Sequence, residues 1–74
     1  MTLKDIKAGQ KVVIQALNSD YASRSKLFDL GLLPGTQLTL KRSLSWSRAV
    51  QIYVRQTNLI IRESLAEQVT VKIL

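Results

Sequence analysis

The stretch Leu33-Pro34-Gly35-Thr36 divides this sequence into two parts with different periodicities. Proline presets φ at the second position of a turn and glycine supplies positive φ at the third, the pattern of a type II turn. After it, apolar residues recur at every second position. Leu38 and Leu40 alternate with Gln37, Thr39 and Lys41, and Val50, Ile52 and Val54 alternate with Gln51, Tyr53 and Arg55. Leu59 and Ile61 flank Ile60, and Val69, Val71 and Ile73 alternate with Thr70 and Lys72. Together with the β-branched run Lys11–Leu17, these patterns predict strands over Val12–Leu17, Gln37–Arg42, Val50–Val54, Leu59–Arg62 and Val69–Ile73. Five short strands in a chain this small cannot satisfy their edges as an open flat sheet. A mainly β fold, a small partly closed β-barrel of SH3-like or OB-like architecture, is the expected solution.

One helix interrupts this plan between the first two strands. In Tyr21–Leu30, Ser23, Leu27 and Leu30 fall on one face with Phe28 beside it, and Ser25, Lys26 and Asp29 fall opposite. Asn18-Ser19-Asp20 precedes it as a strand-breaking, helix-capping cluster, and Gly31 stands where a helix-ending glycine is expected. At the N-terminus, Thr2 and Asp5 have capping-box-like spacing for one turn, with Leu3 and Ile6 on its inner side and Gly9 at its end. Glu63–Gln68 separates the last two strands as a single helical or 3₁₀ turn seated by Leu65 and Ala66.

Composition removes whole classes of function. The chain has 74 residues, 46% hydrophobic and 22% charged, which fits a single globular domain over residues 1–74 and not a disordered segment. It has no cysteine and no histidine, so a disulfide framework, a thiolate metal site, a cysteine nucleophile and an imidazole base are all excluded. The longest apolar runs are too short to span a membrane, and Met1-Thr2-Leu3-Lys4-Asp5 lacks the apolar stretch of a signal peptide, so a cytoplasmic protein without direct membrane insertion is expected. Eleven lysines and arginines against five acids give a charge of +6, spread along the chain from Lys4 to Lys72. Such a balance suits an anionic partner, but it also suits a small domain that only needs to stay dissolved.

Two features stand out as candidate contact points. Trp46 is the only tryptophan, in a polar hairpin tip near Lys41, Arg42 and Arg48. It is either an aromatic anchor with a basic rim or a ring folded back over the open end of the barrel. Leu32 and Leu33 precede a tight turn and cannot easily both enter the core, so one of them is expected at the surface.

The run Leu27-Phe28-Asp29-Leu30-Gly31-Leu32-Leu33-Pro34-Gly35-Thr36 resembles the L-x-x-(M/L)-G-(L/I)-x-P-G signature of the ferrous iron transport protein A (FeoA) family. Leu3-x-x-Ile6-x-x-Gly9 is similar to that family's opening turn. Val50-x-Ile52-x-Val54, followed by Leu59-Ile60-Ile61-Arg62-x-x-x-Ala66-x-x-Val69-x-Val71, is similar to its last third. The resemblance implies an SH3-like barrel with a helix between strands 1 and 2. It also implies a cytosolic accessory of FeoB, the membrane protein with a GTPase domain that imports ferrous iron. The same fold ends iron-dependent repressors, but 74 residues leave no room for their DNA-binding helix-turn-helix as well, so a complete repressor is not expected. Two departures are evident. The family's frequent P-L-G-D-P hairpin tip is Ser45-Trp46-Ser47-Arg48-Ala49 here, and a frequent later glycine is Gln56. The turn after the third strand is therefore expected to find its positive φ at Asn58.

Iron-binding and catalytic residues are hard to find. Only Asp5, Asp20, Asp29, Glu63 and Glu67 offer hard ligands, and they are separated in sequence. Ser43, Ser45, Ser47 and Ser64 have no histidine to activate them, and no glycine-rich phosphate loop follows a strand. The expectation is a non-enzymatic adaptor without metal or cofactor, contacting a partner through Leu32, Leu33, Arg42, Trp46 and Arg48. By resemblance, that partner is the FeoB-type transporter; a second copy of the chain is a further candidate. The rival is a small basic barrel that binds nucleic acid through Trp46, Lys41, Arg42, Arg48 and Arg55. Its weakness is few aromatic residues, with Phe28 assigned to the core.

Overall fold

The computed structural model describes residues 1–44 and 46–74. Ser45, the first residue of the expected hairpin tip, lies outside the described residues. The elements follow in the order β1 (Lys11–Leu17), α1 (Tyr21–Asp29), β2 (Gln37–Leu44), β3 (Ala49–Val54), β4 (Thr57–Arg62), α2 (Glu63–Ala66) and β5 (Val69–Ile73). The strands form one five-stranded antiparallel sheet ordered β4-β3-β2-β1-β5, curled into a partly open SH3-like barrel. Leu3, Val12, Ile14, Leu27, Leu40, Ile52, Val54 and Val69 are among the fully buried side chains of its single core.

All five strands lie where the alternation places them, with longer ends at the hairpins. β2 runs on to Leu44 because its ladder with β3 continues to Leu44↔Ala49. A register shift between Leu40 and Arg42 marks a bulge that turns Lys41 and Arg42, two consecutive residues, to solvent. β4 starts earlier than expected, at Thr57, because β3 and β4 are joined by only two residues. Those residues, Arg55 (φ 49°) and Gln56 (φ 63°), both have positive φ, the requirement of a type I′ hairpin turn. The expectation of positive φ at Asn58 is thus corrected. Asn58 is an extended residue paired with Tyr53, and Gln56 itself adopts the conformation that favours glycine.

The turn signals act as expected. The Thr36 N–H donates to the Leu33 carbonyl at 2.9 Å with Gly35 at φ 94°, and the turn is sewn to β1 by Gly35 N–H to Ile14 O, 2.7 Å, and Ile14 N–H to Thr36 O, 2.9 Å. Asp20 caps α1 by accepting the Ser23 N–H at 2.9 Å. At the other end, Gly31 (φ 78°) and Leu32 donate their N–H groups to Phe28 O (2.8 Å) and Leu27 O (2.9 Å), the paired bonds of a Schellman motif. Phe28 is not a core residue. α1 turns only Leu27 fully inward, and the 100° step to the next position leaves Phe28 half exposed.

The two sheet edges differ. The outer edge of β5 is covered by the chain's first residues, with Leu3 N–H to Val69 O at 3.1 Å and Val71 N–H to Met1 O at 2.9 Å. Among the described residues, no strand covers the outer edge of β4.

Candidate interaction surface

The β2–β3 hairpin presents its tip to solvent. Ser47 closes the turn with N–H and Oγ bonds to Leu44 O, at 2.9 and 3.2 Å. Arg48 sits at φ 50°, and its carbonyl accepts the Glu63 N–H at 2.9 Å, which ties the tip to the start of α2. With the backbone held in this way, Trp46 stands 85% exposed, and the ring does not fold back over the barrel. Arg42 and Arg48 are exposed as well.

The two leucines before the turn separate. Leu32 is completely buried, so its assignment as a contact residue is corrected. It occupies the position after the Schellman glycine, whose side chain folds back toward the helix, and with Leu27 it joins the core. Leu33, one residue on, is 40% exposed. The contact residues expected from sequence therefore reduce to Leu33 after α1 and to Arg42, Trp46 and Arg48 on the β2–β3 hairpin.

Three of the basic residues are engaged with other groups of the fold. Arg55 reaches back from the type I′ turn and donates to Gly31 O at 2.7 Å and Leu30 O at 2.9 Å, carbonyls at the C-terminal end of α1. A guanidinium there satisfies carbonyls that lack helical partners and complements the negative end of the helix dipole. Lys41 Nζ lies 5.1 Å from the centre of the Tyr53 ring, a cation–π contact. Lys4 pairs with Glu67 at 2.8 Å, which raises the lysine pKa above its ordinary value. A depression of about 640 Å³ beside the hairpin mixes signs, with Lys4, Arg48 and Arg62 set among Glu63 and Glu67.

Glu63 and Glu67 share that depression, and two of the other carboxylates are held by nearby backbone N–H groups. Asp5 accepts the Thr2 N–H at 2.9 Å, and that bond holds its pKa below the usual carboxylate value. Asp20 is lowered in the same way by the Ser23 N–H. With Glu67 on Lys4, each of these three acids has its own hydrogen-bond partner. Among the described residues, no three acids gather as metal ligands would. Also among the described residues, no helix is long and apolar enough to cross a membrane.

Sequence reasoning missed two features. Arg55 reads as a surface charge because nothing local shows that a turn will aim it at a helix 24 residues earlier. Ile60 is 64% exposed on β4, and a groove of about 330 Å³ separates that strand from α1. A signal for it existed: Ile60 is an isoleucine on the outward phase of an alternating strand, between Asn58 and Arg62.

Comparison with known proteins places this arrangement. The solution structure of the FeoA protein from Chlorobium tepidum superposes with a TM-score of 0.89 at 31% identity, covering 100% of this chain and 70% of that one. The crystal structure of an iron uptake regulatory protein (FeoA) gives 0.88 at 26% identity, covering 100% of this chain and 99% of that one. ScaR with bound zinc shares the fold at a TM-score of 0.91 and 16% identity, and this chain spans only 37% of it. No curated protein matches the chain. The FeoA domain model matches residues 1–73, nearly the full length of the barrel described above, and the chain belongs to the FeoA family.

Proposed function

We propose that this protein is a non-enzymatic cytosolic accessory of ferrous iron transport that binds a FeoB-type membrane transporter and modulates its activity. The observation that carries this reading is the FeoA domain match over residues 1–73. The surface is consistent with it. Exposed Trp46 and Leu33, with Arg42 and Arg48, are contact groups for a protein, and among the described residues no three acids gather as a ligand cluster. The mechanism is a shift in the partner's equilibrium. The barrel favours whichever transporter state it binds more tightly, by the difference between the two affinities.

The test is binding of the purified chain to the transporter of the same cell in nanodiscs, with GTP hydrolysis measured with and without the chain. Saturable binding together with a changed hydrolysis rate is expected. Absence of binding at tens of micromolar chain would end the transporter reading. Tighter, strongly salt-dependent binding to single-stranded nucleic acid would favour the rival, because phosphate contacts release counterions. The structure weighs against that rival: Arg55 is engaged with α1 and Lys41 with Tyr53, two of its four proposed phosphate-binding residues.

A further inference from the structure

We propose that the open edge of β4, with α1 as the facing wall, takes an extended acidic segment of a partner protein as a sixth strand. The starting point is the hairpin register. The two-residue turn makes Val54↔Thr57, Ile52↔Leu59 and Val50↔Ile61 the hydrogen-bonded pairs of β3 and β4. The N–H and C=O groups of Asn58 and Ile60 therefore point away from β3. Among the described residues no hydrogen bond uses them. An open row of this kind is a template for strand addition, and proteins usually blunt it with a bulge, a proline or an inward charge. Here β4 pairs with β3 without a register shift, and Thr57 to Ile61 contains neither proline nor charge. The opposite edge of the same sheet is covered by the chain's own first residues.

The groove beside this edge says what kind of strand fits. Its apolar floor is Leu30 and Leu65, both half-buried against the core, and Ile60 stands on its β4 side. Its charged groups are Lys26 from α1 and Arg62 from the end of β4, and no carboxylate lines it. Neither cation has an ion pair among the described residues, where the only salt bridge is Lys4–Glu67. Side chains alternate along an added strand, so one set would rest on the leucines and the other would reach the two cations. A segment alternating acidic and apolar residues satisfies both sets. A second copy of this chain does not, because its own β4 brings another Arg62 and no acid. The inference rests on the reading that the chain binds a protein, but its test needs no transporter.

The probe is a nine-residue peptide of alternating glutamate and valine, compared with its lysine–valine counterpart and followed by amide chemical shifts of the whole chain. The acidic peptide is expected to shift Asn58, Ile60 and Lys26 selectively, and the basic one to bind at least tenfold more weakly. Ile60→Pro removes an N–H that bonds nothing in the fold, as edge strands tolerate, and should weaken binding tenfold or more. Ile60→Thr keeps that N–H and should weaken binding less, which covers the case of a proline variant that misfolds. Lys26→Glu with Arg62→Glu should reverse the preference between the two peptides. Equal binding of both peptides, shifts centred on Trp46 instead of β4, or a concentration-dependent dimer through β4 would each overturn the proposal. If peptide binding holds and the transporter does not bind, only the transporter reading fails.

Discussion

The β3–β4 turn and the β2–β3 tip are built from similar material and do opposite things. Each places an arginine at positive φ, Arg55 at 49° and Arg48 at 50°. At the β3–β4 turn the side chain returns to the fold and clamps the carbonyls of Leu30 and Gly31. At the β2–β3 tip the ties are Ser47 to Leu44 O and Glu63 N–H to Arg48 O, and Trp46 projects into solvent. Both arginines are exposed by surface area, so exposure does not separate a structural cation from one available to a partner. Hydrogen-bond partners do. The β3–β4 turn thus adds a clamp to the seating that buried Leu27 already gives α1, whereas the side chain of Trp46 at the β2–β3 tip is left to solvent.

The largest expected effect on stability falls where the inward-facing turn meets α1. Gly31 is at φ 78°, and a Cβ there would overlap the Arg55 guanidinium. Gly31→Ala should cost about 1–2 kcal/mol from the left-handed backbone alone, measured by denaturant unfolding. The double variant with Arg55→Ala should lose less than the sum of the two single changes, because the overlap disappears with the side chain. Additive losses would mean that Arg55 does not occupy the helix end.

Arg55→Ala alone should cost about 1 kcal/mol, since its bonds are charge-assisted but solvent-exposed. Arg55→Lys should recover only part of this, because one ammonium does not reproduce a planar fork across two carbonyls. Full recovery with lysine would reduce the contact to a dipole effect. At the β2–β3 tip, Trp46→Ala should change stability by less than about 0.5 kcal/mol, because little of the ring is buried. It should still weaken transporter binding by about 2 kcal/mol or more if Trp46 is an anchor. A destabilised variant with unchanged binding would erase the contrast between the two turns.

The smallest effect is an acid limb at the far end of α1. Asp20 has its pKa lowered below the ordinary 3.8 by the Ser23 N–H. A carboxylate depressed in the folded state contributes stability that is present above its unfolded pKa and lost as pH falls through the folded value. Unfolding curves of the wild type should therefore weaken as pH falls below 3.8. Asp20→Asn, which still caps but does not titrate, should weaken less over the same range. Asp5, lowered by the Thr2 N–H, leaves a residual slope in both.

Local rules carried this chain a long way. Strand alternation, Pro34-Gly35, the capping cluster Asn18-Ser19-Asp20 and Gly31 as helix end all act within a few residues, so sequence spacing alone places them. The same rules failed at Phe28, at Leu32 and at the β3–β4 turn. Phe28 depends on how a short helix is seated, since a small rotation about its axis exchanges buried and exposed positions, and Leu32 on the Schellman bonds that fold it back against Leu27. The β3–β4 turn depends on strand register, which forces positive φ onto Arg55 and Gln56 although neither residue prefers it. Of the candidate contact residues named from sequence, only the structure separates exposed Leu33 and Trp46 from buried Leu32.

What the sequence determined by itself is the five-stranded plan with a helix after the first strand and a helical turn before the last, the exclusion of thiol and imidazole chemistry, and, through its ordered motifs, the FeoA family. The tertiary structure decided which arginine bonds the end of α1, which leucine is hidden, and which sheet edge stays open. The physical reason is range. Alternation, capping and turn preferences are energies between near neighbours in the chain, whereas the Arg55–Gly31 bond and the cover over β5 join segments tens of residues apart.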